Sequence, residues 1–401
     1  MVFPIAFHPH YIEYFLQRDV TKLYISIAIR NFALGMVGVF EAIYVYMYFK
    51  ESVPAILFYY GVMFGLYGLL VPFGGKIIEK IGAKKSILAS YVFYIGYYAS
   101  LFFLDIHASI VVLAIMAGAV GMVLFWPAFH TDFIRFSSKK NRGKESGRVN
   151  VAMLVPVILA PALGGVIISS FGFSVLFLVV GVVLFASATP LFSSKEHIET
   201  YTDSYAAAWR RVFKKQNWNT SIGLFSQGVE FGIHIYAWPL FLFTMAIGFF
   251  QIGGISSFAL IAATFFMLYA GKLSDTEDRS WLLTVGSFWI AIAWILKYFV
   301  TTPFSALLAH STYRVSRASA RIPFWTFFYE KAADKGEDAD EFVIYHEIVV
   351  NIGRGAVFIV LAGIFFVFPD LPLKVIFLFA AFLALGFSFV GNPPKIPFIH
   401  T

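Results

Sequence analysis

Glu230, His234 and Trp238 stand at i, i+4 and i+8 in an otherwise apolar stretch, so a helix there carries all three on one face. His310, Arg314, Arg317 and Arg321 recur at intervals of four, three and four, which makes a second one-sided stripe. Arg30, Glu41, His346, Glu347, Asn351 and Arg354 add polar groups to apolar surroundings, with Glu347 and Arg354 on one helical face. Ionisable groups in such surroundings are costly and persist where they move protons, bind a charged solute or pair with one another. Two chemistries are open to them. Glu230 or Glu41, with His234, can take and release a proton. Alternatively Glu230 pairs with Arg314, and Glu347 with Arg321 or Arg354, as permanent ties between helices.

The elements that must hold these residues follow from composition. Of the 401 residues 59% are hydrophobic and only 13% charged, with a mean hydropathy of +0.78; a soluble domain carries about 25% charged residues. Long apolar runs in lipid must be helices or closed barrels, because backbone amides find no water there. Val175 to Ala186 lacks the apolar/polar alternation of a barrel strand. The runs predict an all-α polytopic membrane protein with twelve transmembrane helices, near 23–49, 53–75, 86–105, 108–130, 149–171, 172–193, 221–246, 249–271, 280–300, 303–328, 342–368 and 372–391. Between the sixth and seventh lies a polar linker, residues 194–220, expected to include a surface helix around Tyr205 to Phe213.

Orientation follows from Lys and Arg in the short loops. Lys76, Lys80, Lys84 and Lys85 follow the second span, and Arg135, Lys139, Lys140, Arg142, Lys144 and Arg148 the fourth, whereas the alternate loops are nearly uncharged. Both termini and the linker are therefore predicted to be cytoplasmic. Lys297 falls near an outer helix end and is expected to snorkel. There is no cysteine, hence no disulfide or thiolate site. The first 22 residues lack a signal-type apolar core and read as an amphipathic surface segment; His8 and His10 within it are too few for a metal site, and none is expected elsewhere.

The chain also repeats itself. Gly75-Lys76-Ile77-Ile78-Glu79-Lys80-Ile81-Gly82-Ala83-Lys84-Lys85 after the second span has a degenerate counterpart after the eighth, Gly271-Lys272-Leu273-Ser274-Asp275-Thr276-Glu277-Asp278-Arg279, about half a chain later. Gly38 to Tyr46 matches Gly228 to Tyr236, with Glu41 and Glu230 displaced by one place, and the fourth and tenth spans both end in a proline-aromatic stretch. These residues resemble the major facilitator superfamily, whose signature between spans 2 and 3 has glycine, acid, base, glycine and bases where Gly75, Glu79, Lys80, Gly82, Lys84 and Lys85 stand. The resemblance implies two pseudo-symmetric six-helix bundles, 1–193 and 221–401, and a cytoplasmic ion-pair switch. In that switch Asp132 would partner Lys84 or Lys85, with Gly271, Asp275 and Arg279 as its second copy and Glu330 near Arg279. It also implies that spans 1, 4, 7 and 10 line a central pathway, on which Arg30, Glu41, Glu230, His234, Trp238, His310, Arg314 and Arg317 fall, with Arg354 from span 11. Gly147, Pro156, Ala160, Pro161, Gly164 and Gly165 resemble the antiporter motif of the fifth span, in which a kinked, small-residue helix packs on span 8, as in exporters.

The resemblance implies a secondary transporter that rocks two bundles around a midplane site. Its function is expected to be proton-coupled efflux of a drug-like or amphipathic solute, with uptake of a sugar or organic anion by proton symport as the rival. A lipid-modifying enzyme using His130 and Asp132, or a transporter-derived sensor, are remoter alternatives. No G-x-x-x-x-G-K-[ST] loop is present, so ATP is not an expected energy source and no cofactor is called for. The partners expected are a small-molecule substrate, protons and the lipid bilayer of the plasma (inner) membrane, with the chain acting as a monomer. A pI near 9.3 reflects basic loops facing anionic lipid, so nucleic acid need not be invoked.

Overall fold

A computed structural model describes residues 19–136, 142–194, 196, 200–273, 279–333 and 339–390. Thirteen α-helices and no strand occur among them: α1 (Asp19–Val37), α2 (Glu41–Tyr48), α3 (Val53–Ile81), α4 (Ala83–Phe102), α5 (Ile110–Phe136), α6 (Arg142–Phe192), α7 (Tyr205–Val212), α8 (Trp218–Thr244), α9 (Phe249–Leu273), α10 (Arg279–Tyr298), α11 (Pro303–Ala333), α12 (Ala339–Val367) and α13 (Val375–Leu385). Six of them are long and apolar enough to cross a membrane, or seven if α1 and α2 form one bent span.

The first apolar run is not the single helix its hydropathy suggests. Gly38 donates to the Leu34 carbonyl and Phe40 to that of Val37, each at 2.8 Å, and the chain restarts as α2 with a bend of 42°. The break is where α6 comes closest. A Cβ at Gly164 would strike the Met36 carbonyl and meet the Phe40 ring at 3.1 Å. One consequence is chemical, because Glu41 now lies in the first turn of a helix, where unpaired backbone N–H groups favour an acid.

The α6 helix reverses at Gly172, whose φ of 82° and ψ of 176° suit glycine alone. Before it, Ala160 faces Gly35; just after it, Phe173 reaches Tyr44 at 5.1 Å; further on, Ser187 accepts from Ser26, and Lys22 donates to the Ser193 carbonyl at 2.6 Å. The chain therefore ascends α1 and descends again, as the two predicted spans at 149–171 and 172–193 require. The last span is shorter than expected: α13 ends at Leu385 and continues as a 3-10 turn over Gly386–Val390. The linker helix falls where the sequence put it, capped by Ser204.

Small residues set the closest helix crossings. Gly61, Gly65 and Gly68 of α3 lie against Ile352, Gly355 and Ile359 of α12, so that a Cβ at Gly68 would sit 2.7 Å from the Ile352 side chain. Pro161 and Gly165 of α6 lie against Gly253 and Phe249 of α9, and the Ala162 N–H donates to Ser257 Oγ at 3.0 Å. The kinked, small-residue helix thus packs on α9 as expected. Large apolar side chains face outward, Phe366, Phe185 and Phe265 among them, which suits a hydrocarbon surround rather than water.

Candidate functional site

The one-sided stripe of α8 is buried whole: Glu230, His234 and Trp238 are each at most 3% exposed. Each meets partners from the helices packed beside it. Glu230 Oε1 accepts from Trp294 Nε1 of α10 at 2.8 Å and from the Tyr313 hydroxyl of α11 at 2.6 Å, while Oε2 pairs with Arg317. The acid is thus tied to Arg317, one turn beyond the Arg314 that the spacing suggested. His310 stacks between His234 and Trp238, at ring separations of 5.4 and 5.5 Å, with both of its own nitrogens unpartnered. Arg314 is half-buried and its Nε finds no acceptor.

Lys297 is the residue the sequence placed wrongly. It does not reach an interface; it is fully buried among the faces of Tyr313, Trp294 and Trp238, 3.7, 4.0 and 4.5 Å from the ring centres, and 3.5 Å from His234 Nδ1. The reason is tertiary. Trp238 and Tyr313 come from neighbouring helices, and together with Trp294 they make an aromatic box that no single-helix pattern reveals.

Glu41 sits in a different kind of box. Its carboxylate accepts from Tyr97 at 2.7 Å, Tyr60 at 3.0 Å and Tyr98 at 3.1 Å, with no cation bound to it among the described residues. Arg30 is 2% exposed and lies 3.5 Å above the Phe125 ring and 4.8 Å above that of Tyr94, with Asn31 as its hydrogen-bond partner. Arg354 donates to the Gly228 carbonyl and to Asn351 and lies over Phe64. Arg30, Lys297, Arg314 and Arg354 therefore form no ion pair with a carboxylate among the described residues.

Glu347 does not pair with Arg321 or Arg354. Its Oε2 accepts from the Tyr67 hydroxyl of α3 at 2.6 Å and from Asn351 at 3.0 Å, and its Oε1 lies 3.1 Å from His346 Nδ1 and 3.5 Å from His130 Nε2 of α5. Nearby, Thr131 donates to Asp340 at 2.8 Å. These contacts join α12 to α3 and α5 at the end where the basic loops lie. At the opposite end Tyr60 of α3 stacks at 3.8 Å on Tyr236 of α8, and Phe40 contacts Phe249.

The glycine-and-base motif is held against the linker. Gly82 has φ of 90°, and a side chain there would run into the Glu196 carboxylate, which accepts from the Lys84 N–H at 3.1 Å. Lys84 Nζ donates to the Ser194 carbonyl, Glu79 pairs with Lys76 at 3.0 Å, and Lys80 and Lys85 are exposed. Asp132 is buried at the end of α5, and the contacts given for Lys84 are with the linker and the end of α6. The linker is further held by Lys76 on the Tyr201 carbonyl at 2.6 Å and by Thr202, whose N–H and hydroxyl both donate to Glu341 at 2.8 Å. The Tyr201 ring fills the space under Gly75, and burial pushes its hydroxyl pKa up. Of the second loop, Gly271 lies in the last turn of α9 and Arg279 opens α10, while Asp275 is outside the described residues. His8, His10, Lys139, Lys140 and the acidic loop residues Asp334, Glu337 and Asp338 are outside them too.

The aromatic boxes escaped the sequence reading. Tyr97 and Tyr98 are adjacent aromatics in a chain with 21 tyrosines, so nothing in the sequence marked them.

The family model described as Major Facilitator Superfamily matches residues 23–338. An uncharacterized MFS-type transporter of Bacillus subtilis (strain 168), YuxJ, is 30% identical over 139 residues, which are 34% of this chain and 35% of that protein; the match spans about a third of the relative's length. Among solved structures, the E. coli fucose:proton symporter FucP superposes with a TM-score of 0.61 at 12% identity, over 92% of this chain and 97% of that one. A D-xylose-proton symporter gives 0.67 at 13% identity, over 93% and 97%. At such identities the likeness is one of fold.

Proposed function

The chain belongs to the Major Facilitator Superfamily, and from that premise we propose that it is a proton-coupled secondary transporter of a small organic anion. As a transporter of this family it is not an enzyme, so the acid-base reading of His130 and Asp132 falls away. The observation that carries the proposal is the charge balance of the interior. Among the described residues four cations, Arg30, Lys297, Arg314 and Arg354, pair with no carboxylate, whereas Glu41, unlike Glu230 and Glu347, has only hydroxyl donors. Desolvated cations held in aromatic boxes favour an anionic guest. A carboxylate with no fixed counter-charge is the group best able to gain and lose a proton.

The two functions are close in space. Tyr60 donates to Glu41 and stacks on Tyr236, which in turn meets Phe64 at 5.7 Å, the ring over which Arg354 lies. This aromatic contact is also a seam between α3 and α8, where relative motion would be felt at both groups.

In this reading α1 with α2, α3, α4, α5, the two arms of α6, α8, α9, α10, α11, α12 and α13 make twelve crossings. They form bundles 1–193 and 221–401 joined by the linker 194–220, with both termini cytoplasmic. The α3–α12 and α6–α9 crossings are the surfaces on which the bundles rock. Export is the direction favoured by the packing of Pro161 and Gly165 on α9. The chain works as a monomer in the plasma membrane.

The test is flux in proteoliposomes with an imposed proton gradient, comparing amphipathic organic anions, lipophilic cations and sugars. Uphill movement of an anion supports the reading; movement of sugars or cations alone overturns its substrate class.

A further inference from the structure

We propose that His130, His346 and Glu347 form a site for one divalent transition-metal ion, Zn2+ by its ligand set, bridging α5 and α12. The three side chains come from opposite halves of the chain, are at most 4% exposed, and present ligand atoms that all lie within 4.8 Å of one another. Tetrahedral Zn2+ with bonds of 2.0–2.2 Å holds its ligand atoms about 3.4 Å apart. Glu347 Oε1 is 3.1 Å from His346 Nδ1 and 3.5 Å from His130 Nε2, so two of the three pairs already have that separation.

The carboxylate is prepared for such a role. Tyr67 and Asn351 both donate to Oε2, which turns Oε1 toward the two imidazoles; outer-shell donors of this kind orient metal-binding carboxylates. No Lys or Arg pairs with Glu347 among the described residues. A dication would supply the missing positive charge, with water as a fourth ligand. Thr131, next in sequence to His130, lines a recess with Gly75, Ile78, Tyr201 and Asp340. Two imidazoles and one carboxylate suit Zn2+, Co2+ or Ni2+ better than Mg2+ or Ca2+, which prefer oxygen. The clasp it would make, α5 to α12, rests on the rocking reading above: with the ion in place this end stays shut.

The experiment is equilibrium dialysis of the purified chain against Zn2+, without a polyhistidine tag and with His8→Ala and His10→Ala to remove the N-terminal imidazoles. One Zn2+ per chain at micromolar concentration is expected, replaceable by Co2+ with visible absorption of tetrahedral type. His130→Ala and His346→Ala should each weaken binding at least tenfold, and Tyr67→Phe by about tenfold. Absence of saturable binding by the folded protein, or binding that survives both histidine changes, overturns the site. Because the chain has no cysteine, Ile78→Cys in the same recess reports opening by maleimide labelling. Stoichiometric Zn2+ binding that slows the labelling supports both site and clasp; binding that leaves the rate unchanged upholds the site and overturns the clasp.

Discussion

Tyr97 of α4 holds the Glu41 carboxylate at 2.7 Å, and Trp294 of α10 holds that of Glu230 at 2.8 Å in the same manner. The repeat seen in the sequence is therefore also a repeat of chemistry: an acid at matched positions, gripped by an aromatic donor. The halves differ in one respect. Arg317 neutralises Glu230, and among the described residues no cation does so for Glu41. Glu230 is held by a guanidinium, whereas Glu41 is held by hydroxyls.

Glu41→Gln removes the exchangeable proton while retaining an acceptor oxygen for Tyr60 and Tyr97. Gradient-driven accumulation in proteoliposomes should fall at least tenfold, whereas exchange of labelled for unlabelled solute without a gradient should persist. Coupled transport at the wild-type rate would remove Glu41 from the proton pathway.

Glu230→Gln strands Arg317, whose side chain is only 11% exposed. Losing one partner of such a pair costs about 3–5 kcal/mol, so the thermal midpoint in detergent should drop by several degrees. Changing Arg317 to Met as well should restore part of it. Equal midpoints for wild type and the single variant would show that the pair is not structural.

Lys297→Met keeps the length of the side chain within the Trp238, Trp294 and Tyr313 box but removes an unpaired charge. Stability should be unchanged or higher. Affinity for the anion should fall roughly tenfold or more, about 1.4 kcal/mol, read as a raised KM. An unaltered KM would take Lys297 out of the substrate site.

Gly68→Leu places a side chain where the Ile352 backbone N lies 2.9 Å from an added Cβ. The α3–α12 crossing must widen, and overpacking of this kind costs about 1–3 kcal/mol. Transport should fall more than folding yield does, because the crossing has to slide; Gly65→Ala, which meets nothing within 4 Å, is the matched control.

Gly82→Ala opposes both the φ of 90° and the Glu196 carboxylate. A strained residue of this kind costs about 1–3 kcal/mol, and the linker should lose its hold on the Lys84 amide. Faster proteolysis between residues 194 and 204 is the expected readout, and an unchanged cleavage rate would mean that Thr202 on Glu341 suffices to hold the linker.

The sequence by itself determined that the chain is helical and lipid-facing, that Gly75 to Lys85 carry a family motif, and that Glu230, His234 and Trp238 share a face. Hydropathy and a 3.6-residue period report which side of a helix is polar, and this needs no partner. Only the tertiary structure decided who meets whom. A stripe of arginines one turn apart offers Glu230 several equivalent mates, and the rotation of α11 against α8 selects Arg317 over Arg314. Lys297 reads as a snorkelling end residue until Trp238 and Tyr313 close over it. His130 and Glu347 lie far apart in the chain and meet because α5 and α12 converge at one end. Lys84, offered to Asp132 by the family resemblance, meets Glu196 and Ser194 of the linker. Burial makes each of these pairings consequential, since a charge inside an apolar bundle has few alternatives, and the helix crossings set by glycine choose among them.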